Sequence, residues 1–167
     1  MIFDVSLALA ISVCGDWTLH RLGHLRHPLN AVHRVHALHH ERYRGRRFLS
    51  STYVGDYGAL AYAPLIVIVW LAAYATFPSH TTRCVVAFSG CFALASDYLH
   101  SHFHTAGSWL ERFEWFARKR RYHFIHHRRN SKNLSLGGLS TPVDALMGTL
   151  SVAVAPPDSR SVIPCSF

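Results

Sequence analysis

The chain has 167 residues, half of them apolar and 16% charged, and its 17 basic against 9 acidic residues leave a formal net charge of +8. That length suits one domain, the apolar share excludes an intrinsically disordered chain, and four cysteines are too few for a disulfide-built miniprotein. Histidine, with 14 copies, is the component out of proportion.

Residues 1–155 read as one membrane-embedded domain and 156–167 as a short tail. Val5–Gly15 is apolar, has no basic n-region and follows Asp4, which argues against a cleaved signal peptide; it predicts a retained helix that crosses about half a bilayer. Pro28 closes the next helical piece, and Asn30 is placed to N-cap a helix carrying His36 to His40. Tyr57 to Phe77 carries no charge and is long enough to span a hydrocarbon core, which needs about 20 residues of helix. After a break at Pro78–Arg83, a second apolar run goes from Cys84 to Ser96 and extends through Asp97 and Tyr98 where that end faces the protein interior. Together the two runs predict a helical hairpin across the bilayer.

Ser108-Trp-Leu-Glu111 has the form of a capping box, predicting a helix from there to His127. Trp109, Phe113 and Phe116 form an aromatic stripe that suits either a membrane interface or a core. Thr141 as cap, Pro142 at the first helical position and Asp144 at the third predict a final helix. Cys14, Cys84 and Cys91 sit in apolar segments, where cysteine packs as a small hydrophobe; Cys165 lies in the tail.

All the basic residues except Arg83 and Arg160 fall in two blocks, Arg21 to Arg47 and Arg112 to Lys132. The hairpin puts both blocks on one face, which the positive-inside rule makes cytoplasmic. No nucleic-acid-reading motif accompanies the charge, so no nucleic-acid partner is expected.

The histidine pattern occurs twice. The first half carries His20-Arg-Leu-Gly-His24 and His36-Ala-Leu-His39-His40; the second carries His100-Ser-His-Phe-His104 and His123-Phe-Ile-His126-His127. Helical spacings of three and four put side chains on one face, so His20, His24, His36, His39, His40, His100, His104, His123, His126 and His127 are candidate ligands for two metal ions, about five to each. His102 falls on the opposite face from His100 and His104, His80 lies in the hairpin turn, and His27 precedes Pro28 where the helix should end. His33, three residues before His36, is a candidate neighbour of the ligands. Imidazole suits zinc, iron, copper and nickel. No carboxylate stands at ligand spacing, unlike a bundle-type carboxylate di-iron site.

These four boxes, in this order and with this apolar interval between His40 and His100, resemble the fatty acid hydroxylase / sterol desaturase superfamily of integral membrane di-iron enzymes. The resemblance covers about residues 16 to 150. Three details fit the fatty acid hydroxylase branch: Asp97-Tyr-Leu-His100 as a D-x-x-H lead, Arg121-Tyr-His-Phe-Ile-His-His127, and the Gly-rich closing segment Leu136 to Asp144 with Met147-Gly-Thr149. The first box departs from it, being H-x3-H where fatty acid 2-hydroxylases tend to H-x4-H. Val143 stands where a Trp is usual, the N-terminal region is short, and no cytochrome b5 domain is fused.

The resemblance implies an all-α integral membrane protein, with the hairpin across the bilayer and a cytoplasmic-face helical cap carrying the boxes. It implies two iron ions, for which zinc can substitute in a purified protein, and O2 as co-substrate. Cleaving an unactivated C–H bond is cofactor work rather than side-chain work, so no catalytic nucleophile is expected. The implied reaction is hydroxylation of a lipid entering from the bilayer, a fatty acyl chain first. Carotenoid or sterol hydroxylation or desaturation is the alternative within the superfamily. A separate electron donor, cytochrome b5-like or a ferredoxin, is implied as partner. Asp97, one helical turn before His100, is the candidate to orient a ligand imidazole from behind. The rival from another class is a non-catalytic histidine-rich membrane metal-binding or transport protein. A transporter needs polar groups through the span, where the run to Phe77 offers Tyr62, Tyr74 and Thr76.

Overall fold

The computed structural model describes residues 2–55 and 58–152; the tail expected at 156–167 lies outside the described residues. The architecture is all-α. Among the described residues six helices follow one another: α1 (Ile2–Gly23), α2 (Ala31–Arg42), α3 (Gly58–Thr76), α4 (Ser79–His104), α5 (Glu114–Arg128) and α6 (Thr141–Leu146), with 3-10 turns at Gly45–Phe48 and Trp109–Arg112. Among the described residues the one extended pairing is an isolated bridge, in which Ser50 N donates to His104 O and Ala106 N to Ser50 O, both at 2.8 Å.

Helix α1 is longer than the apolar run Val5–Gly15 suggests. At 22 residues it spans about 33 Å, against a hydrocarbon core of about 30 Å, and it is long and apolar enough to cross a membrane. It lies parallel to α4. At one end Thr81 Oγ1 donates to Asp4 Oδ1 (2.6 Å) and His80 Nε2 stands 3.5 Å from the same carboxylate; at the other end both helices present their histidines. Ala8, Ala73 and Val85 bring α1, α3 and α4 together in one buried cluster, with Trp70 Nε1 donating to Ser89 Oγ across the α3–α4 hairpin (2.8 Å).

Pro78 to Arg83 is not a break between two apolar runs. Pro78 is the N-cap of α4 and the next residues are already helix, because Thr82 Oγ1 donates to Ala73 O (3.1 Å) and ties the first turn to the end of α3. The helix then continues unbroken to His104. Ile2, Phe3, Leu9, Ile68, Leu71, Tyr74 and Leu94 form an exposed apolar belt around α1, α3 and α4.

Two local expectations shift. Asn30 does N-cap α2, accepting from His33 N at 3.1 Å. The Ser108/Glu111 capping box forms too, but it opens the 3-10 turn at Trp109–Arg112. Phe113 is extended (φ −105°, ψ 124°) and packs on Leu99, Phe103, Leu110 and Phe116, so α5 starts afresh at Glu114. The aromatic stripe is split accordingly: Phe116 is fully buried while Trp109 is exposed. At α6 the cap position belongs to Ser140, Thr141 is already helical, and Asp144 turns inward rather than capping.

Candidate metal centre

The structure brings the ten histidines together in two groups of five. His20, His24, His36, His40 and His126 form one, and His39, His100, His104, His123 and His127 the other, with the potential ligand nitrogens of each group all within 4.8 Å of one another. Their sorting follows from helical geometry. Residues at i and i+4 share a face, whereas neighbours point about 100° apart. His36 and His40 of α2 therefore join group one while His39 turns to group two. His123 and His127 of α5 join group two while His126 turns to group one. Each His-His doublet straddles both groups, and His40 and His127 stack across the boundary with ring centroids 4.1 Å apart.

Nitrogen protonation decides what these groups can hold. His20 Nδ1 lies 2.7 Å from Leu134 O, His126 Nδ1 2.8 Å from Lys132 O, and His104 Nδ1 2.9 Å from Phe48 O. A carbonyl only accepts, so each Nδ1 is the N–H and each Nε2 carries a lone pair. Those Nε2 atoms face other Nε2 atoms. His36 Nε2 is 3.1 Å from that of His20, 2.9 Å from that of His24 and 3.0 Å from that of His40. His126 Nε2 is 3.0 Å from that of His24 and 3.1 Å from that of His40. In group two the corresponding pairs are His39–His100 (3.1 Å), His104–His123 (3.0 Å) and His123–His127 (3.1 Å).

One proton on His36 Nε2 serves one of its three neighbours and leaves the others lone pair to lone pair. Nitrogens bound to one ion at about 2.1 Å, roughly at right angles, stand about 3 Å apart, which is the observed spacing. The donor set and geometry fit a metal ion in each group. The energetic scale agrees: an unsatisfied buried polar group costs about 1–3 kcal/mol, and structural metal binding in small domains releases about 10–16 kcal/mol.

Burial keeps the imidazoles neutral, the form that ligates. It pushes His24 down to about 4, helped by His33 and His39, and His126 down to about 3, helped chiefly by His24. Burial first, and then neighbouring imidazoles, hold His36, His40, His123 and His127 well below the ordinary histidine range.

The orienting carbonyls come from backbone segments that spacing rules do not reveal. Leu134 O and Lys132 O both belong to the loop after α5, and Asp144 holds that loop. Its buried carboxylate accepts from Leu134 N (2.7 Å), Ser135 N (3.0 Å), Trp17 Nε1 (3.1 Å) and Thr149 Oγ1 (2.7 Å). One residue thus links Asp144 to His20: the Asp144 carboxylate takes the Leu134 N–H, and the Leu134 carbonyl takes the His20 N–H. In the sequence Asp144 stands out as part of the closing segment and as the third residue of the final helix, with nothing to pair it with the histidines.

The other candidates fall elsewhere. Asp97 is exposed on α4 and makes no hydrogen bond to an imidazole among the described residues. His33 Nδ1 donates to Gly23 O (2.8 Å), closing the end of α1 rather than holding a ligand ring. His102 pairs with Ser108 Oγ (2.9 Å), His27 Nδ1 accepts from Leu29 N (3.2 Å), and His80 sits at the far end of the bundle beside Asp4.

Two cavities reach the groups. An apolar one of about 600 Å³ runs between α1, α3 and α4 and ends on His20, His36, His39 and His100. A polar cleft of about 890 Å³ also opens on the histidines, where His24, His36, His40 and His127 meet Arg26, Arg44 and Arg128.

With this geometry in hand, the comparisons with known proteins agree on one point. No curated protein and no solved structure matches the chain. The fatty acid hydroxylase family matches it over residues 5–149, nearly all of the described helices. A family of membrane di-iron oxidoreductases and two buried histidine groups able to hold metal ions lead to the same place: the chain belongs to the fatty acid hydroxylase family.

Proposed function

We propose that the chain is an O2-dependent lipid hydroxylase whose two five-histidine groups each hold one iron ion, with zinc able to replace it. The observation that carries this reading is the meeting of an apolar cavity with both histidine groups at His20, His36, His39 and His100. Bound iron supplies the activation of O2 that side chains lack. One oxygen atom enters a C–H bond and the other leaves as water, with two electrons and two protons delivered by a separate donor. The chain's own contribution is to hold neutral imidazoles in fixed tautomers, to exclude bulk water from group two behind Tyr43, Phe48 and Phe103, and to guide a hydrocarbon chain to the histidines.

The lipid enters from the bilayer. The exposed apolar belt on α1, α3 and α4 would cost far more in water than in hydrocarbon, so the α3–α4 hairpin spans alongside α1. The histidine end then carries both basic blocks and faces the cytoplasm. Arg26, Arg44 and Arg128 around the polar cleft suit an acidic electron donor such as a cytochrome b5-like protein or a ferredoxin.

The test is comparative lipid mass spectrometry of hosts expressing the wild type or the His126→Ala/His127→Ala variant, which strikes both groups. A lipid gaining one oxygen atom only with the wild type supports the proposal. A lipid losing two hydrogens makes the enzyme a desaturase. No difference in hosts rich in acyl lipids, sterols and carotenoids, with metal present, overturns the enzymatic reading.

A further inference from the structure

The apolar cavity contains polar groups that a metal centre and a hydrocarbon chain do not use. Its walls include Ile11, Leu19, Ile66, Val69 and Phe92, yet Tyr62, Ser96 and Asp16 line the same space. Tyr62 Oη is buried without a hydrogen-bond partner among the described residues, and the Ser96 hydroxyl is buried beside the Asp16 carboxylate. A glycine lies close against each of Tyr62 and Ser96. A Cβ on Gly23 would collide with Tyr62 Oη and come within 3.1 Å of the His36 ring, so Oη is lodged beside group one. A Cβ on Gly137 would collide with the backbone of Ser96, which is 1% exposed. Asp16 is held from behind, where its Oδ2 accepts from Ser140 Oγ and from Leu136 N at 3.2 Å.

Leaving the Tyr62 hydroxyl unpaired in an apolar cavity is unfavourable, a cost that a ligand able to hydrogen-bond removes. The ligand's chemistry follows from the donor and acceptor inventory. Asp16 offers an acceptor, Tyr62 a donor, and Ser96 either. A hydroxyl matches all three, donating to Asp16 and accepting from Tyr62. An ester only accepts and leaves Asp16 unanswered. A free fatty acid would set a second carboxylate beside Asp16 in a dry site, which disfavours both charges. The cavity volume of about 600 Å³ lies within the roughly 300–1,000 Å³ of small-molecule sites.

We propose that Tyr62, Ser96 and Asp16 form a subsite that recognises a hydroxyl group on the lipid substrate, making that substrate a neutral lipid alcohol. The inference rests on the reading of this cavity as the substrate site, and it assigns the chemistry of the substrate's polar end, next to His36.

Equilibrium binding of three probes of equal chain length to the purified, metal-loaded full chain tests it: a long-chain primary alcohol, the matching fatty acid and the matching alkane. The subsite predicts that the alcohol binds about tenfold or more tightly than either of the others. Tyr62→Phe and Ser96→Ala should each reduce that preference roughly three- to tenfold with no change in alkane binding; Ser96→Ala, a smaller change, serves where Tyr62→Phe does not fold. Equal binding of the three probes overturns the proposal, as does tighter binding of the acid. Preference unaltered in both variants overturns it too and leaves the Tyr62 hydroxyl to bound water. Metal content and the oxygenated product, measured on the same wild-type preparation, report separately on the hydroxylase reading. Loss of probe discrimination with metal and product present sinks the subsite alone.

Discussion

The two histidine groups are built from the same parts in exchanged roles. Group one takes His20 from α1 and His24 from the turn just after it, a pair from α2 and a single ring from α5; group two takes a pair from α4, a pair from α5 and a single ring from α2. Their surroundings differ. In group one, His24, His36 and His40 open on the polar cleft, and its rings are aimed by the Asp144-held loop. Group two is walled by aromatic rings, Tyr43 stacked on His104 at 4.1 Å and Phe48 edge-on at 4.7 Å, and Phe48 O anchors His104 Nδ1. Group one gives the polar cleft three rings, and group two gives it one, His127.

That difference can be broken from either end. The largest effect belongs to the ligands. His126→Ala should strip group one and His123→Ala group two, each lowering metal content by about one ion per chain and taking hydroxylation to background, as read by elemental analysis beside product formation. Loss of both ions from one substitution would show the groups to be a single unit, a result that their shared His40–His127 stack makes worth seeking.

Next comes Asp144→Asn. It keeps the side chain's shape but replaces one of the carboxylate acceptors with a donor facing Leu134 N or Ser135 N, so the Leu134 carbonyl moves away from His20. Changes behind a ligand typically cost about 10–100-fold in metal affinity or activity, and here the loss should fall on group one while group two keeps its ion. Trp17→Phe removes one of the donors to the same carboxylate and should lower stability by about 1 kcal/mol in thermal unfolding, with metal stoichiometry intact. The smallest effect is expected from His33→Ala. It frees Gly23 O at the end of α1, costing about 1 kcal/mol or less, and both ions should stay; loss of an ion would make His33 more than a helix-end contact.

Acid separates the metal-stripped protein from an ordinary fold. His24 and His126 are held at about 4 and about 3 in the folded chain, against 6.5 for an unperturbed histidine. The unfolded chain therefore takes up protons below about pH 6.5 that the folded chain refuses. Stability is fully present above that pH and falls as pH drops towards 4 and 3. Denaturant titrations at stepped pH should show the decline, and a flat profile across that window would mean that the rings are not buried together.

Periodicity made the histidines legible. Spacings of three and four on apolar-flanked segments are a local property, and so is the Asn30 cap. The same arithmetic misjudged what depends on contacts far along the chain. Pro78–Arg83 read as a gap because threonines and a proline are poor helix interior, yet Thr81 and Thr82 are satisfied by Asp4 and Ala73. Ser108 and Glu111 cap as their motif says, but Phe113 follows the packing of Phe103 and Phe116 instead of the helix. Asp97 looked like the partner of His100 because it stands one turn away, while the orienting groups are backbone carbonyls that no side-chain pattern encodes. Gly137 and Gly23 became intelligible only when Ser96 and Tyr62 were seen against them.

The measurement that bears most directly on the paired histidine centres is metal stoichiometry joined to X-ray absorption on the purified full chain. Two ions per chain, each with a shell dominated by imidazole nitrogen, and one ion in the His126→Ala variant, is the expected result. One ion or none in the wild type, in iron- and zinc-supplemented preparations alike, would contradict it.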